Sequence, residues 1–124
     1  MPKLLFVDDE EVMRKLGSRL LAGSYELLFA SGTVEALGII ASAGRLDLLV
    51  TDWRLQDGSG GDIVRAFNHK FPGAPCVLIT GFLNTDDFLK ETSGLSLAAR
   101  FQKPFNILEF QDAVRKLLPE TGPG

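Results

Sequence analysis

The sequence predicts an α/β domain built on one parallel sheet, and three observations predict it. Short apolar runs of strand length alternate with longer segments of helical period. Glycine, serine and proline punctuate the joins, at Gly23-Ser24, Gly44, Pro72-Gly73-Ala74-Pro75 and Thr92-Ser93-Gly94. The 124 residues are 45% hydrophobic and 23% charged, with a net charge of −3, which suits one soluble domain with a buried core and excludes disorder for its body. No apolar run nears the roughly 20 residues that cross a bilayer. The start, Leu4 to Val7 followed by Asp8-Asp9, is unlike a signal peptide. A single cysteine rules out a disulfide framework and, beside a single histidine, argues against a structural zinc site. A pI near 5.1 with scattered basic residues argues against direct contact with nucleic acid. The compartment expected is the cytoplasm.

The elements follow in order. Leu4-Leu5-Phe6-Val7 is a continuous apolar run, the mark of a strand covered on both faces. Over 10–21, Val12, Met13, Leu16, Leu20 and Leu21 recur at spacings of three and four and predict an amphipathic helix with these residues buried. The second strand is read over 25–30, and the second helix over 33–43, entered through Ser31-Gly32 and stopped by Gly44. The third strand, 46–50, delivers Asp52 to its C-terminal end. Gln56-Asp57-Gly58-Ser59-Gly60-Gly61 then leads into a helix over 62–71 with Ile63, Val64, Phe67 and Phe71 as its buried stripe. The fourth strand, 76–79, ends at Thr80-Gly81.

A short helix is expected near Thr85, with Asn84 or Thr85 as N-cap and Asp86 and Asp87 in its first turn. Its sparse apolar anchors and Thr92-Ser93-Gly94 end make it marginal in stability. A fifth strand over 98–102 and a last helix over 105–118, carrying Leu108, Ala113, Leu117 and Leu118, complete the domain. The domain therefore spans 1–118; 119–124 reads as a flexible tail, too short for an output domain.

Five strands alternating with five helices require a parallel sheet with right-handed crossovers. Two arrangements suit this size, the flavodoxin-like order and a half-Rossmann, and in both ligands gather outside the carboxyl ends of the strands. Asp8 and Asp9, Asp52, Thr80 and Lys103 follow strands one, three, four and five, so they share one crevice. Three carboxylates packed together repel unless a cation joins them. Magnesium suits such a site, because it keeps several waters and takes only one or two carboxylates plus phosphate. One carboxylate is then free to act as nucleophile on a phosphoryl group, with Lys103 and the Thr80 hydroxyl facing the phosphoryl oxygens.

Over essentially its whole length the sequence resembles the receiver domain of two-component response regulators, a CheY-like superfamily. Val7-Asp8-Asp9-Glu10, Leu48-Leu49-Val50-Thr51-Asp52, Leu78-Ile79-Thr80-Gly81 and Phe101-Gln102-Lys103-Pro104-Phe105 carry the resemblance as an ordered set. It implies a flavodoxin-like (βα)5 fold, a doubly wound parallel five-stranded sheet of order 2-1-3-4-5, and a cis peptide before Pro104. It implies that Asp52 accepts a phosphoryl group from a phosphohistidine, with Thr80 as switch hydroxyl and Lys103 as the paired lysine. Mg2+ would be held by Asp8, Asp9, Asp52 and the backbone carbonyl of Arg54. The implied partners are a sensor histidine kinase or histidine phosphotransfer protein and a downstream protein target, met by the surface around the Thr85 helix and the fifth strand. The implied state is a monomer or weak homodimer. The implied role is that of a phosphorelay regulator, a phosphoprotein and not an enzyme, with self-phosphorylation and autodephosphorylation chemistry of its own.

The sequence departs from the family in places. Arg100 stands three positions before the lysine, where an aromatic switch residue is usual, and strand alternation turns Phe101 to the other face of the sheet. Leu55-Gln56-Asp57-Gly58 replaces the usual proline and glycine. Arg54 and Phe82, two residues past Asp52 and Thr80, are a bulky pair expected to obstruct the water that hydrolyses the phosphoryl group.

Competing readings are weaker. An aspartate-dependent phosphatase would place Asp-x-Asp after the first strand, where this chain has Asp8-Asp9-Glu10. A flavin-binding relative needs a hydroxyl-rich loop there, and Asp8-Asp9-Glu10-Glu11 would repel its phosphate. A docking module that works without phosphorylation leaves the acidic set with Thr80 and Lys103 without a purpose. Gly58-Ser59-Gly60-Gly61 lacks the lysine of a phosphate loop. His69 reads as solvated, Cys76 as a small core residue, Trp53 as packed near the acidic crevice, and Phe67, Phe71, Phe88, Phe105 and Phe110 as core.

Overall fold

The computed structural model describes residues 1–81, 90 and 92–118. Its elements are β1 (Lys3–Val7), α1 (Glu11–Leu21), β2 (Glu26–Ala30), α2 (Thr33–Ser42), β3 (Leu48–Asp52), β4 (Arg54–Leu55), β5 (Gly58–Ser59), α3 (Gly60–Lys70), β6 (Cys76–Thr80), β7 (Ala99–Gln102) and α4 (Ile107–Leu117). The main sheet has five strands in the order β2-β1-β3-β6-β7, all paired in parallel. With the β4–β5 ribbon set aside, this is the expected 2-1-3-4-5 order of a doubly wound flavodoxin-like sheet.

The period-two alternation of the strands sorts the core into two layers. Leu5 and Val7 of β1, Leu49 of β3 and Cys76 of β6 face Ala36 and Ile40 of α2 and Ile63, Val64 and Phe67 of α3. Leu4 and Phe6, Leu48 and Val50, and Val77 and Ile79 face the other way, toward Leu21 of α1 and Phe110 and Val114 of α4. With both faces covered, β1, β3 and β6 need apolar residues at successive positions. At the edge, β7 is only half-buried on alternate residues. There Phe101 packs against Phe105 and Phe110 (centroids 6.2 and 5.6 Å apart), while Arg100 is exposed.

Several expectations are corrected. Val12 and Leu108, read as buried stripe residues, are 75% and 74% exposed. Both lie on the solvent face of their helix, across from the residues that pack on the sheet, Gly17 and Leu21 in α1 and Phe110 and Val114 in α4. The third strand begins at Leu48, not Leu46, because the Asp47 carboxylate turns aside to accept the Lys3 amide (2.7 Å). The stretch read as a glycine-rich lead-in contains the turn and second strand of the β4–β5 ribbon, and α3 starts at Gly60, where the Ser59 hydroxyl accepts the Gly61 amide (3.0 Å). Phe71 and Phe105 are half-buried. The helix expected near Thr85, Phe82, Phe88 and the 119–124 tail lie outside the described residues. Among the described residues, no helix is long and apolar enough to cross a membrane. The Lys103-Pro104 peptide is cis.

Candidate functional site

Parallel strands end on one edge, and hydrogen bonds from the loops beyond them align those ends. The Asp8 amide bonds the Ala30 carbonyl (3.1 Å), the Trp53 amide bonds Ile79 (3.1 Å), and the Lys103 amide bonds Thr80 (2.8 Å). Asp8, Asp52 and Lys103 are thereby brought within reach of one another, although they lie far apart in the chain. The Lys103 ammonium donates to Asp52 Oδ2 at 2.9 Å and to Asp8 Oδ2 at 3.0 Å, and it sits 3.8 Å from Glu10 Oε1. An open cleft of about 290 Å³ is lined by Asp9, Glu10, Asp52, Arg54, Thr80, Gly81 and Lys103.

Burial sets the electrostatics. Asp8 is 1% and Asp52 7% exposed. Loss of solvent raises the Asp8 carboxyl above its ordinary range, against the opposing pull of the Glu10 amide and Lys103. Loss of solvent likewise raises Asp52, again opposed by Lys103. Burial works against the Lys103 charge too, but its bonds to Asp52 and Asp8 outweigh that and hold the ammonium above its ordinary value. The cleft thus keeps a surplus of buried negative charge that one lysine only partly offsets. Asp8, Asp9 and Glu10 each offer a carboxylate oxygen, all within 4.8 Å of one another. An all-oxygen acidic donor set suits a hard divalent cation.

Backbone and second-layer groups fix these side chains. The Asp8 carboxylate accepts the Glu10 amide (2.9 Å), and Arg14 Nη1 donates to the Asp8 carbonyl (2.6 Å). Behind Asp52, a Cβ placed on Gly60 would lie 2.2 Å from the Asp52 carbonyl oxygen. Only glycine lets α3 start this close to β3 and donate its amide to Trp53 (2.7 Å). Trp53 is buried with Leu78, Leu95 and Leu97, on the α3 side of the sheet.

The structure therefore gathers Asp8, Asp9, Asp52, Arg54, Thr80 and Lys103 around one edge. Away from it, His69 is exposed on α3. Cys76 is buried in β6 with its thiol on Asn68 Oδ1 (3.4 Å) and pushed by burial up to about 12. Sequence reasoning quoted Glu10 within a motif but missed its approach to Lys103, and it missed Arg14 and Gly60 as supports. Glu10 meets Lys103 across the fold, while Arg14 and Gly60 act on residues only a few positions away at spacings that form no motif; only the Gly60-Gly61 pair hinted at close packing.

Comparison with known proteins completes the picture. A family model described as the response regulator receiver domain matches residues 4–115. The chain is 29% identical over 118 residues to sporulation initiation phosphotransferase F of Bacillus subtilis, covering 94% of each. It is 34% identical to the transcriptional regulatory protein CusR of Escherichia coli, covering 94% of this chain but only 51% of that one. It thus spans nearly all of the first relative and about half of the second. Among solved structures, chemotaxis protein CheY4 of Vibrio cholerae superposes with a TM-score of 0.82 at 26% identity, covering 95% of this chain and 99% of that one. The non-phosphorylated HemR receiver domain of Leptospira biflexa gives 0.83 at 28% identity, covering 100% and 99%.

Proposed function

Because the chain belongs to the response regulator receiver family of two-component signalling, we propose that Asp52 is its phosphoacceptor and that the donor is a phosphohistidine. The observation that supports this most is the single ammonium of Lys103 bonded to both Asp52 and Asp8. It joins a buried nucleophile to the acidic cluster at the edge where family members carry their chemistry. A carboxylate oxygen of Asp52 attacks phosphorus as the P–N bond of the donor imidazole breaks. The electron pair stays on the imidazole nitrogen, which takes up a proton.

Asp8, Asp9, Asp52 and the Arg54 carbonyl would hold Mg2+, which when bound offsets negative charge on the phosphoryl oxygens. The chain's own residues do the rest. Lys103 stays charged and faces a phosphoryl oxygen, and Thr80, a residue of the cleft lining, donates its hydroxyl to another. Arg14 holds the Asp8 carbonyl, and Gly60, its amide on the Trp53 carbonyl, lets α3 pack directly behind Asp52, so the reaction is positioned in advance. Arg54, exposed at the cleft, stands in the way of hydrolytic water. Single-turnover dephosphorylation is expected to be several-fold faster in Arg54→Asn, and an unchanged rate would remove that role.

The protein acts as a regulatory phosphoacceptor rather than a turnover enzyme, in the cytoplasm. It receives its phosphoryl group from a sensor histidine kinase or phosphotransfer protein and hands the signal to a protein target. The test is intact mass after incubation with a small acyl phosphate, with and without magnesium, on wild type and Asp52→Asn. One magnesium-dependent phosphoryl adduct, absent in Asp52→Asn, is the expected result. No adduct on wild type, with no release of phosphate, would favour a docking module that works without phosphorylation.

A further inference from the structure

Helix α2 begins without a capping side chain of its own. Gly32 is its N-cap, so the first amides of the helix need an acceptor from elsewhere. Asp57 supplies it from the turn between β4 and β5. Its carboxylate accepts the Thr33 amide at 2.7 Å and the Val34 amide at 3.0 Å. Two glycines make room for this contact. A Cβ on Gly32 would lie 2.6 Å from Asp57 Oδ1, and one on Gly58 would lie 2.9 Å from Thr33 Oγ1. The Val34 and Thr33 amides hold the Asp57 carboxyl below its ordinary range, so it stays ionised at neutral pH and matches the helix dipole.

The neighbouring residue carries the contact into the cleft. The Gln56 amide donates to Asp9 Oδ2 at 3.2 Å, and Arg54 at the start of the same ribbon lines the cleft wall. The N-terminus of α2, the Asp57 carboxylate, the Gln56 amide and the Asp9 carboxylate form one chain of contacts, although Asp57 lines no part of the cleft.

We propose that Asp57 is a positioning residue for the acidic site, clamping the β4–β5 turn onto α2 so that the Gln56 amide holds Asp9 in the orientation that binds a divalent cation. The inference rests on the reading of the cleft as a magnesium-dependent phosphoacceptor site. An Asp9 carboxylate fixed before the cation arrives loses less freedom on binding, which is how groups behind the ligands tune metal affinity.

Calorimetric titration with MgCl2 tests this on four proteins: wild type, Asp57→Ala, Asp57→Asn and Lys70→Met. Asp57→Ala is expected to weaken magnesium binding roughly tenfold, while phosphoryl uptake at saturating magnesium stays within about twofold of wild type. Asp57→Asn keeps one oxygen acceptor and is expected to recover much of the affinity, which also guards against a variant that simply fails to fold. Lys70 caps the other end of α2, donating to the Ile40 and Ala41 carbonyls (both 2.7 Å). Lys70→Met loosens α2 without touching the turn and should leave the affinity unchanged. Wild-type affinity in Asp57→Ala, or an equal loss in Lys70→Met, overturns the proposal while leaving the phosphoacceptor reading intact. A wild type that binds no magnesium overturns both.

Discussion

Asp8 and Asp52 are costly carboxylates to bury, and the fold tolerates them because Lys103 lies between them. Their raised carboxyls fix a sign. A group whose folded pKa exceeds its unfolded value adds stability in full below the unfolded value, and that stability is lost as pH rises through the folded one. On this account the metal-free protein is less stable at neutral pH than the same fold with Asp52 neutralised. Asp52→Asn is therefore expected to melt higher than wild type at pH 7 without metal, with the gap closing as pH falls toward the ordinary carboxylate range. Thermal melts across that window check it, and a gap that widens on acidification would contradict it. Behind Asp52, Gly60→Ala would place a methyl group against the Asp52 carbonyl oxygen. Relief requires backbone movement at Asp52, the proposed phosphoacceptor, so a loss of about 1–3 kcal/mol in urea unfolding should come with slower phosphoryl uptake. Asp8, Asp9, Asp52, Thr80 and Lys103 were legible in the sequence because strand ends can be counted from apolar runs. Gly60 and Asp57 were not, because each acts on a neighbour that only the folded chain brings near.

At the scale of elements, the helix period identified α1 and α4 but drew one residue of each onto the wrong face. Val12 and Leu108 are apolar, yet at 100° per residue they point away from the buried Gly17 and Leu21 and from Phe110 and Val114, and both face solvent. Polar replacement is accordingly cheap: Val12→Gln and Leu108→Gln should each fall within about 0.5 kcal/mol of wild type. Phe110 is different. It is 1% exposed and touches both Phe101 and Phe105, so Phe110→Ala should cost about 3–5 kcal/mol. Urea titrations of the three variants separate the two classes. The β4–β5 ribbon escaped sequence reading for a related reason. Two-residue strands have no periodicity, and this ribbon is held by Asp57 on α2 and Gln56 on Asp9 rather than by any pattern of its own.

For the molecule as a whole, the same alternation that builds the two core layers also closes the site. Among the described residues β7 is an edge strand, paired with β6 alone, yet the residue just past it reaches over β6 to carboxylates that follow β1 and end β3. Lys103 is thus an ionic cross-tie from the edge of the sheet to its centre, as well as a group in the cleft. That dual position predicts a pH-dependent defect when it is removed. Lys103→Met leaves Asp8 and Asp52 buried with no ammonium between them, which costs roughly 1–3 kcal/mol at pH 7, below the usual figure for a buried pair because the ammonium keeps some solvent contact. Without that ammonium both carboxyls rise further. Acid protonates them in either protein, so the ion pairs that distinguish wild type vanish and the deficit should shrink as pH falls through the carboxylate range. Denaturant unfolding of wild type and Lys103→Met between about pH 8 and pH 4 reads this directly. A deficit that stays constant across that range would mean that the lysine supports the fold through its alkyl chain alone, and that the charge balance of the cleft does not govern the stability of the sheet.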